Sequence, residues 1–208
     1  MMFGICLFFF VYHILPVLKQ AAESRGYQKR WKRLQFNPDV FQALLLKTNK
    51  IEAPVEDLGI RIGSPNASVE IIKVCNPYCG PCSKAHPEIE TIVRNNQDIS
   101  VRIIFTTYRN TNSNSAAPIR HLLSIKEKYG AEKLKIALDD WYLSPVKDYE
   151  SFAKKYPIDI DKLEEQQHKV VAMTDWYNEM KIGGTPTFFI NGYLLPESYG
   201  IKDLKNFF

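Results

Sequence analysis

Cys79 and Cys82 are separated by two residues in Cys79-Gly80-Pro81-Cys82, within a chain of 208 residues that holds four cysteines. A lone pair at this spacing suits a redox dithiol or half of a zinc site. Its setting favours the dithiol. The segment before it, Val69–Cys75 (VEIIKVC), is β-branched and apolar enough for a strand buried on both faces. The segment after it, Ser83–Asn95, has helical spacing, with Ile89, Ile92 and Val93 inward and Pro87 inside it. Cys79 therefore falls at a helix N-terminus, where unpaired N–H groups and the helix dipole favour an anionic sulfur. The thiolate is the attacking form. Cys79 is expected to attack a substrate disulfide, and Cys82 to resolve the mixed disulfide by closing the Cys79–Cys82 bond.

Cys75 offers competing readings. Cys75, Cys79 and Cys82 spell C-x3-C-x2-C, the spacing of iron–sulfur, radical S-adenosylmethionine enzymes, although the chain is short for such a barrel. With His86, four residues after Cys82, the cysteines could form a zinc site. The plainer reading of Cys75 is a small buried residue at a strand end. No resident metal or cofactor is expected. A regulatory disulfide partner is a further role for Cys75, and Cys6 is expected to be inert.

The surrounding elements follow from patterning. Ile60–Ile62 reads as a short strand, and Ser100–Thr107 as a strand parallel to 69–75 across the active-site helix. From Ala116 to about Lys181 the pattern is helical, with breaks near Gly130, Ser144-Pro145 and Tyr156-Pro157. Within it Trp141, Tyr142, Trp176 and Tyr177 are expected in the core. Thr187–Ile190 and Tyr193–Leu195 form a hairpin across Asn191-Gly192, and Ile201–Phe208 a closing helix.

Tyr78-Cys79-Gly80-Pro81-Cys82 resembles the thioredoxin motif, with Tyr78 where thioredoxins usually carry Trp. Pro87 stands where that family has its helix-kinking proline. Thr185-Pro186, in the run Gly183-Gly184-Thr185-Pro186-Thr187-Phe188-Phe189-Ile190-Asn191-Gly192, resembles the cis-proline loop of exported, DsbA-like members, as does the helical insertion. Over residues 58–208 the resemblance implies an α/β thioredoxin fold with a helical insertion before the cis-proline strand. It implies protein thiol–disulfide substrates, contacted by Tyr78, Gly80, Pro81, Thr185 and Pro186, and a redox-active Cys79–Cys82 disulfide. Gly-Pro between the cysteines resembles the reducing end of the family, the insertion the oxidising end, so the direction of electron flow stays open.

Lys73 departs from the pattern. Thioredoxins carry a buried acid six positions before the first cysteine, and counting back without gaps reaches Lys73. A buried ammonium there would favour the thiolate and an oxidising potential. The expectation is instead that the local alignment slips or that the long stem carries the charge to solvent; Glu70 is the other proton-handling candidate. His86 is expected to be an exposed helix residue, with modulation of the thiolate as its functional reading.

Composition bears on localisation. The net charge of +4 divides into +6 over residues 19–50 and −2 over 51–208, so the folded part is not basic and no nucleic-acid partner is expected. Residues 1–18 carry no Lys, Arg, Asp or Glu and sit at the lower limit for a membrane helix, while no basic leader marks a signal peptide. The organisation expected is a membrane helix over 1–18, a basic stem and linker helix over 19–57, and the thioredoxin-like domain from 58. Asn37-Pro38-Asp39 starts the linker helix. An apolar span, a basic stem and Asn-Pro-Tyr-Cys-Gly-Pro-Cys together resemble the C-terminal part of bacterial proteins that fuse a vitamin K epoxide reductase-like membrane domain to a thioredoxin domain. That implies a quinone-coupled membrane partner and a periplasmic or otherwise extracytoplasmic domain. Basic residues flanking a lone span would place it in the cytoplasm instead. A rival to enzymatic function is a thioredoxin-fold module that binds a client without redox cycling.

Overall fold

The computed structural model describes residues 10–108 and 110–208. The chain forms two compact units, divided between Leu44 and Leu45. In the first, a π-helical turn (Phe10–Ile14) leads into α1 (Leu15–Gln35), none of whose residues is buried. The membrane helix expected over 1–18 lies half outside the described residues, as does Cys6. No described helix is long and apolar enough to cross a membrane. α2 (Pro38–Leu45) begins as its sequence dictates: Asn37 Oδ1 accepts from the Asp39 and Val40 amides at 2.8 and 3.2 Å.

The second unit is built on a five-stranded sheet of order β1-β3-β2-β4-β5: β1 Ile60–Gly63, β2 Val69–Cys75, β3 Ile99–Phe105, β4 Thr187–Ile190 and β5 Tyr193–Leu194. β2 and β3 run parallel through α3 (Gly80–Asn95), while the other pairings are antiparallel. β2 is central, and its last five residues are buried, as expected of a strand covered on both faces. Asn191 and Gly192 both take positive φ (47° and 84°) in the β4–β5 turn, which is why Asn-Gly occurs there.

The insertion is helical throughout: α4 (Ala116–Leu143), α5 (Tyr149–Lys155), α6 (Ile160–Glu164) and α7 (Gln167–Glu179). Gly130, with φ 80°, kinks α4 at the expected break. Trp141, Tyr142, Trp176 and Tyr177 are all buried. β3 stops two residues short of expectation because Thr106 Oγ1 turns back to accept from the Tyr108 amide at 2.8 Å. The closing segment is a 3₁₀ helix, Ile201–Asn206.

This topology sets the site. β2 ends where β4 begins, with Val74 opposite Thr187, and β3 ends beside them, with Cys75 opposite Phe105. The loops that follow β2 and β3 and the loop that precedes β4 therefore meet at one end of the sheet.

Candidate functional site

α3 begins at Gly80, three residues earlier than expected, with Cys79 as its N-cap and a proline in its first turn. Proline suits that position because its missing N–H has no helical partner to lose. Cys79 Sγ accepts from the Cys82 amide at 3.3 Å and donates to the Thr185 carbonyl at 3.2 Å. The Thr185–Pro186 bond is cis. Cys79 is half-buried, Cys82 is buried, and Tyr78, Gly80 and Pro81 are exposed around the pair. One sulfur thus meets the surface and one does not. Burial above all, then the neighbouring Cys75 thiol, pushes the Cys82 thiol well up.

Three residues outside the motif hold the loop in place. Asn76, 3% exposed, donates through Nδ2 to the Thr106 carbonyl at 2.8 Å and accepts the Tyr78 amide on Oδ1 at 2.9 Å. Trp141 Nε1 donates to the Pro77 carbonyl at 2.8 Å and its ring meets that of Tyr78 edge-on. Tyr108, with φ 61°, lies 3.0 Å by its hydroxyl from Thr185 Oγ1. Asn76 stood beside the motif in sequence. Trp141 and Tyr108 carried no local signal, because what they touch is far along the chain.

Beneath the dithiol, Lys73 is fully buried, contrary to the expectation that its ammonium reaches solvent or that the alignment slips. Strand alternation puts Lys73 and Cys75 on the same face of β2, and both meet Tyr142. The Lys73 Nζ stands 4.5 Å from the ring centre, and Cys75 Sγ lies 3.0 Å from the hydroxyl. Lys73 also donates to the Cys82 carbonyl at 3.5 Å. Burial raises the Cys75 thiol, with Lys73 pulling the other way.

His86 is buried rather than exposed, at 1% exposure. It lies on the helix face of Cys82, four residues on, and its Nε2 is 2.8 Å from Asp139 Oδ1. A carboxylate partner makes Nε2 the protonated nitrogen. Burial, then the charge of Lys73, lowers His86 to about 4. Glu70 does not reach the site. It lies at the opposite end of β2, paired with Arg102 at 3.1 Å and Arg61 at 3.5 Å. Cys75, Cys79, Cys82 and His86 do not converge as metal donors, and no group of three or more His, Cys, Asp or Glu side chains among the described residues could hold a metal ion.

A sequence profile described as thioredoxin matches residues 56–208. No curated protein matches the chain. Among solved structures, a periplasmic thioredoxin-like protein of Salmonella enterica serovar Typhimurium aligns at 17% identity and TM-score 0.61, over 80% of this chain and 92% of that one. BdbD of Bacillus subtilis, in its oxidised form, aligns at 13% identity and TM-score 0.60, over 77% and 95%. The thiol-disulfide exchange protein alpha-DsbA2 of Wolbachia pipientis aligns at 16% identity and TM-score 0.61, over 81% and 94%. At these identities the likeness is one of fold.

Proposed function

The chain belongs to the thioredoxin family, and from that premise we propose that it is a thiol–disulfide oxidoreductase acting on protein substrates through Cys79 and Cys82. The observation that carries this reading is the placement of Cys79 Sγ at the N-terminus of α3, hydrogen-bonded to the Cys82 amide and set against the Thr185 carbonyl of the cis-proline loop. In the reducing direction, Cys79 attacks a substrate disulfide and one substrate sulfur leaves as a thiolate. Cys82 then attacks Cys79, closing the Cys79–Cys82 bond and releasing the second substrate thiol. In this reading Thr185 and Pro186 of the cis-proline loop contact the substrate, together with the exposed Tyr78, Gly80 and Pro81. The fold of the Wolbachia exchange protein supports the same chemistry.

Insulin-disulfide reduction tests this. Cys79→Ser abolishes turnover, because no sulfur remains at the half-exposed position that meets the substrate. Cys82→Ala accumulates mixed disulfides that can be trapped by alkylation. Activity surviving in Cys79→Ser would sink the assignment.

The domain is further proposed to work outside the cytoplasm, held at a membrane by the N-terminal segment. Its support is the uncharged run of residues 1–18, the basic stem after it, and the periplasmic location of the Salmonella relative. A vitamin K epoxide reductase-like, quinone-coupled membrane protein is the proposed electron partner. Its support is the apolar span, basic stem and Asn-Pro-Tyr-Cys-Gly-Pro-Cys sequence taken together. Co-purification of such a protein with a Cys82→Ala trap would identify it.

A further inference from the structure

Lys73 stands in the central strand, with Ile103 and Phe188 as its register partners, and none of its surface is exposed. An ammonium in such a place costs several kcal/mol unless a partner charge offsets it. No carboxylate among the described residues is paired with it. What the group has instead is one long hydrogen bond to the Cys82 carbonyl, at 3.5 Å, and the face of Tyr142. Its other polar surroundings are the Cys75 thiol on its own strand and His86 and Glu90 on α3, with Asp139 of α4 bonded to His86. His86 is held neutral by burial and by Lys73 itself, and Asp139, which meets His86 Nε2 at 2.8 Å, is about half exposed, so solvent screens its charge. Burial raises the Glu90 carboxyl, with Lys73 among the charges pulling the other way, and no ion pair joins the two. The remaining ionisable neighbours are cysteines: Cys75, on whose thiol the Lys73 charge acts, and Cys82, whose carbonyl accepts from Lys73.

We infer that Lys73 is a buried counter-charge for the dithiol, which favours the reduced, thiolate-bearing state and makes the Cys79–Cys82 disulfide a donor to protein thiols. This rests on the oxidoreductase reading above and supplies the direction that the motif leaves open. In the oxidising direction a substrate thiolate attacks Cys79 Sγ. The Cys79–Cys82 bond breaks, and Cys82, whose carbonyl accepts from Lys73, takes the electron pair and leaves as a thiolate. Burial makes Cys82 hold a proton strongly, so it then protonates. The second substrate thiolate attacks the substrate sulfur of the mixed disulfide, and Cys79 leaves with its electron pair. Two electrons pass from the substrate dithiol to the protein. Of the two protons the substrate thiols release, one goes to Cys82 and the other to solvent or Cys79. Lys73 is a positioning residue, whose field acts on the sulfur that carries charge.

The test is the redox equilibrium of the full chain in glutathione buffers, read by alkylation, for wild type, Lys73→Met, Cys75→Ala and the double variant. Lys73→Met keeps the length of the side chain and removes its charge. It is expected to shift the equilibrium about tenfold towards the disulfide, about 30 mV on the two-electron scale. The same shift is expected in the Cys75→Ala background. An unshifted Lys73→Met overturns the inference, as does a shift that vanishes without Cys75, since the charge would then serve that thiol alone. Melting of the wild type gives a second, independent reading: the reduced form is expected to melt higher than the oxidised, and the reverse order overturns the inference. A wild-type dithiol that never exchanges with glutathione overturns the oxidoreductase reading instead.

Discussion

His86 is neutral in the folded protein, and at low pH that neutrality is a liability. Its proton affinity is lowered to about 4 by burial and by the Lys73 charge, whereas an unfolded histidine titrates near pH 6.5. The unfolded chain therefore binds the extra proton first as pH falls. The contribution of His86 to stability is intact above about pH 6.5, shrinks as pH falls to about 4, and amounts to about 3 kcal/mol over that window. Urea unfolding near neutral pH and near pH 4.5 checks it: the loss of stability on acidification is expected to be smaller in His86→Gln than in wild type. At the same scale, Trp141→Phe removes the hydrogen bond to the Pro77 carbonyl and leaves that oxygen buried without a donor. The expected cost is about 1–3 kcal/mol in denaturant unfolding, together with slower insulin reduction as the loop before Cys79 loosens. The pairing of Cys79 with Cys82 was legible because their spacing is local, and the place of Pro186 because its loop resembles the cis-proline loop of the family. The burial of Lys73 and His86 was not, because the groups that enclose them, Tyr142 and Asp139, lie on α4, far along the chain. A lysine with a long stem reads as a surface residue until its neighbours are placed.

β1 depends on a glycine. Gly59 enters the strand at φ 70°, and a Cβ there would lie 2.1 Å from the Ile103 carbonyl oxygen. Gly59→Ala cannot be relieved by moving a side chain, since the atom it meets is backbone. It is expected to destabilise by about 2 kcal/mol or more, seen as a lower urea midpoint. The elements with strong period or punctuation were legible: β2 from its unbroken apolar run, the β4–β5 hairpin from Asn191-Gly192, the kink in α4 from Gly130. Boundaries were less so. The start of α3 depends on Cys79 acting as N-cap through its sulfur, a role its side chain does not announce. The end of β3 depends on a threonine hydroxyl competing with the ladder for the next amide. That the loops after β2 and β3 meet the loop before β4 follows from strand order, which a βαβ pattern constrains only in part.

Charge divides along the chain much as structure does: the unit up to Leu44 carries the whole net charge of +4, and the folded unit from Leu45 is balanced. A chain beginning at Asn37 is expected to reduce insulin within about twofold of the full chain, since the whole sheet and every site residue lie beyond it. In cell fractions the full chain is expected in the membrane pellet after alkaline washing and the shortened chain in the supernatant. Equal partitioning of the two would refute the tether while leaving the chemistry intact. The central strand carries a different consequence. Its one charged side chain without a carboxylate partner opposes folding and favours thiol oxidation at the same time, because a buried ammonium costs most when nothing nearby is ionised. A mutational selection for heat resistance alone would therefore return apolar residues at position 73, and the surviving clones would be poorer oxidants. A selection for oxidising power would hold the lysine and accept the softer protein.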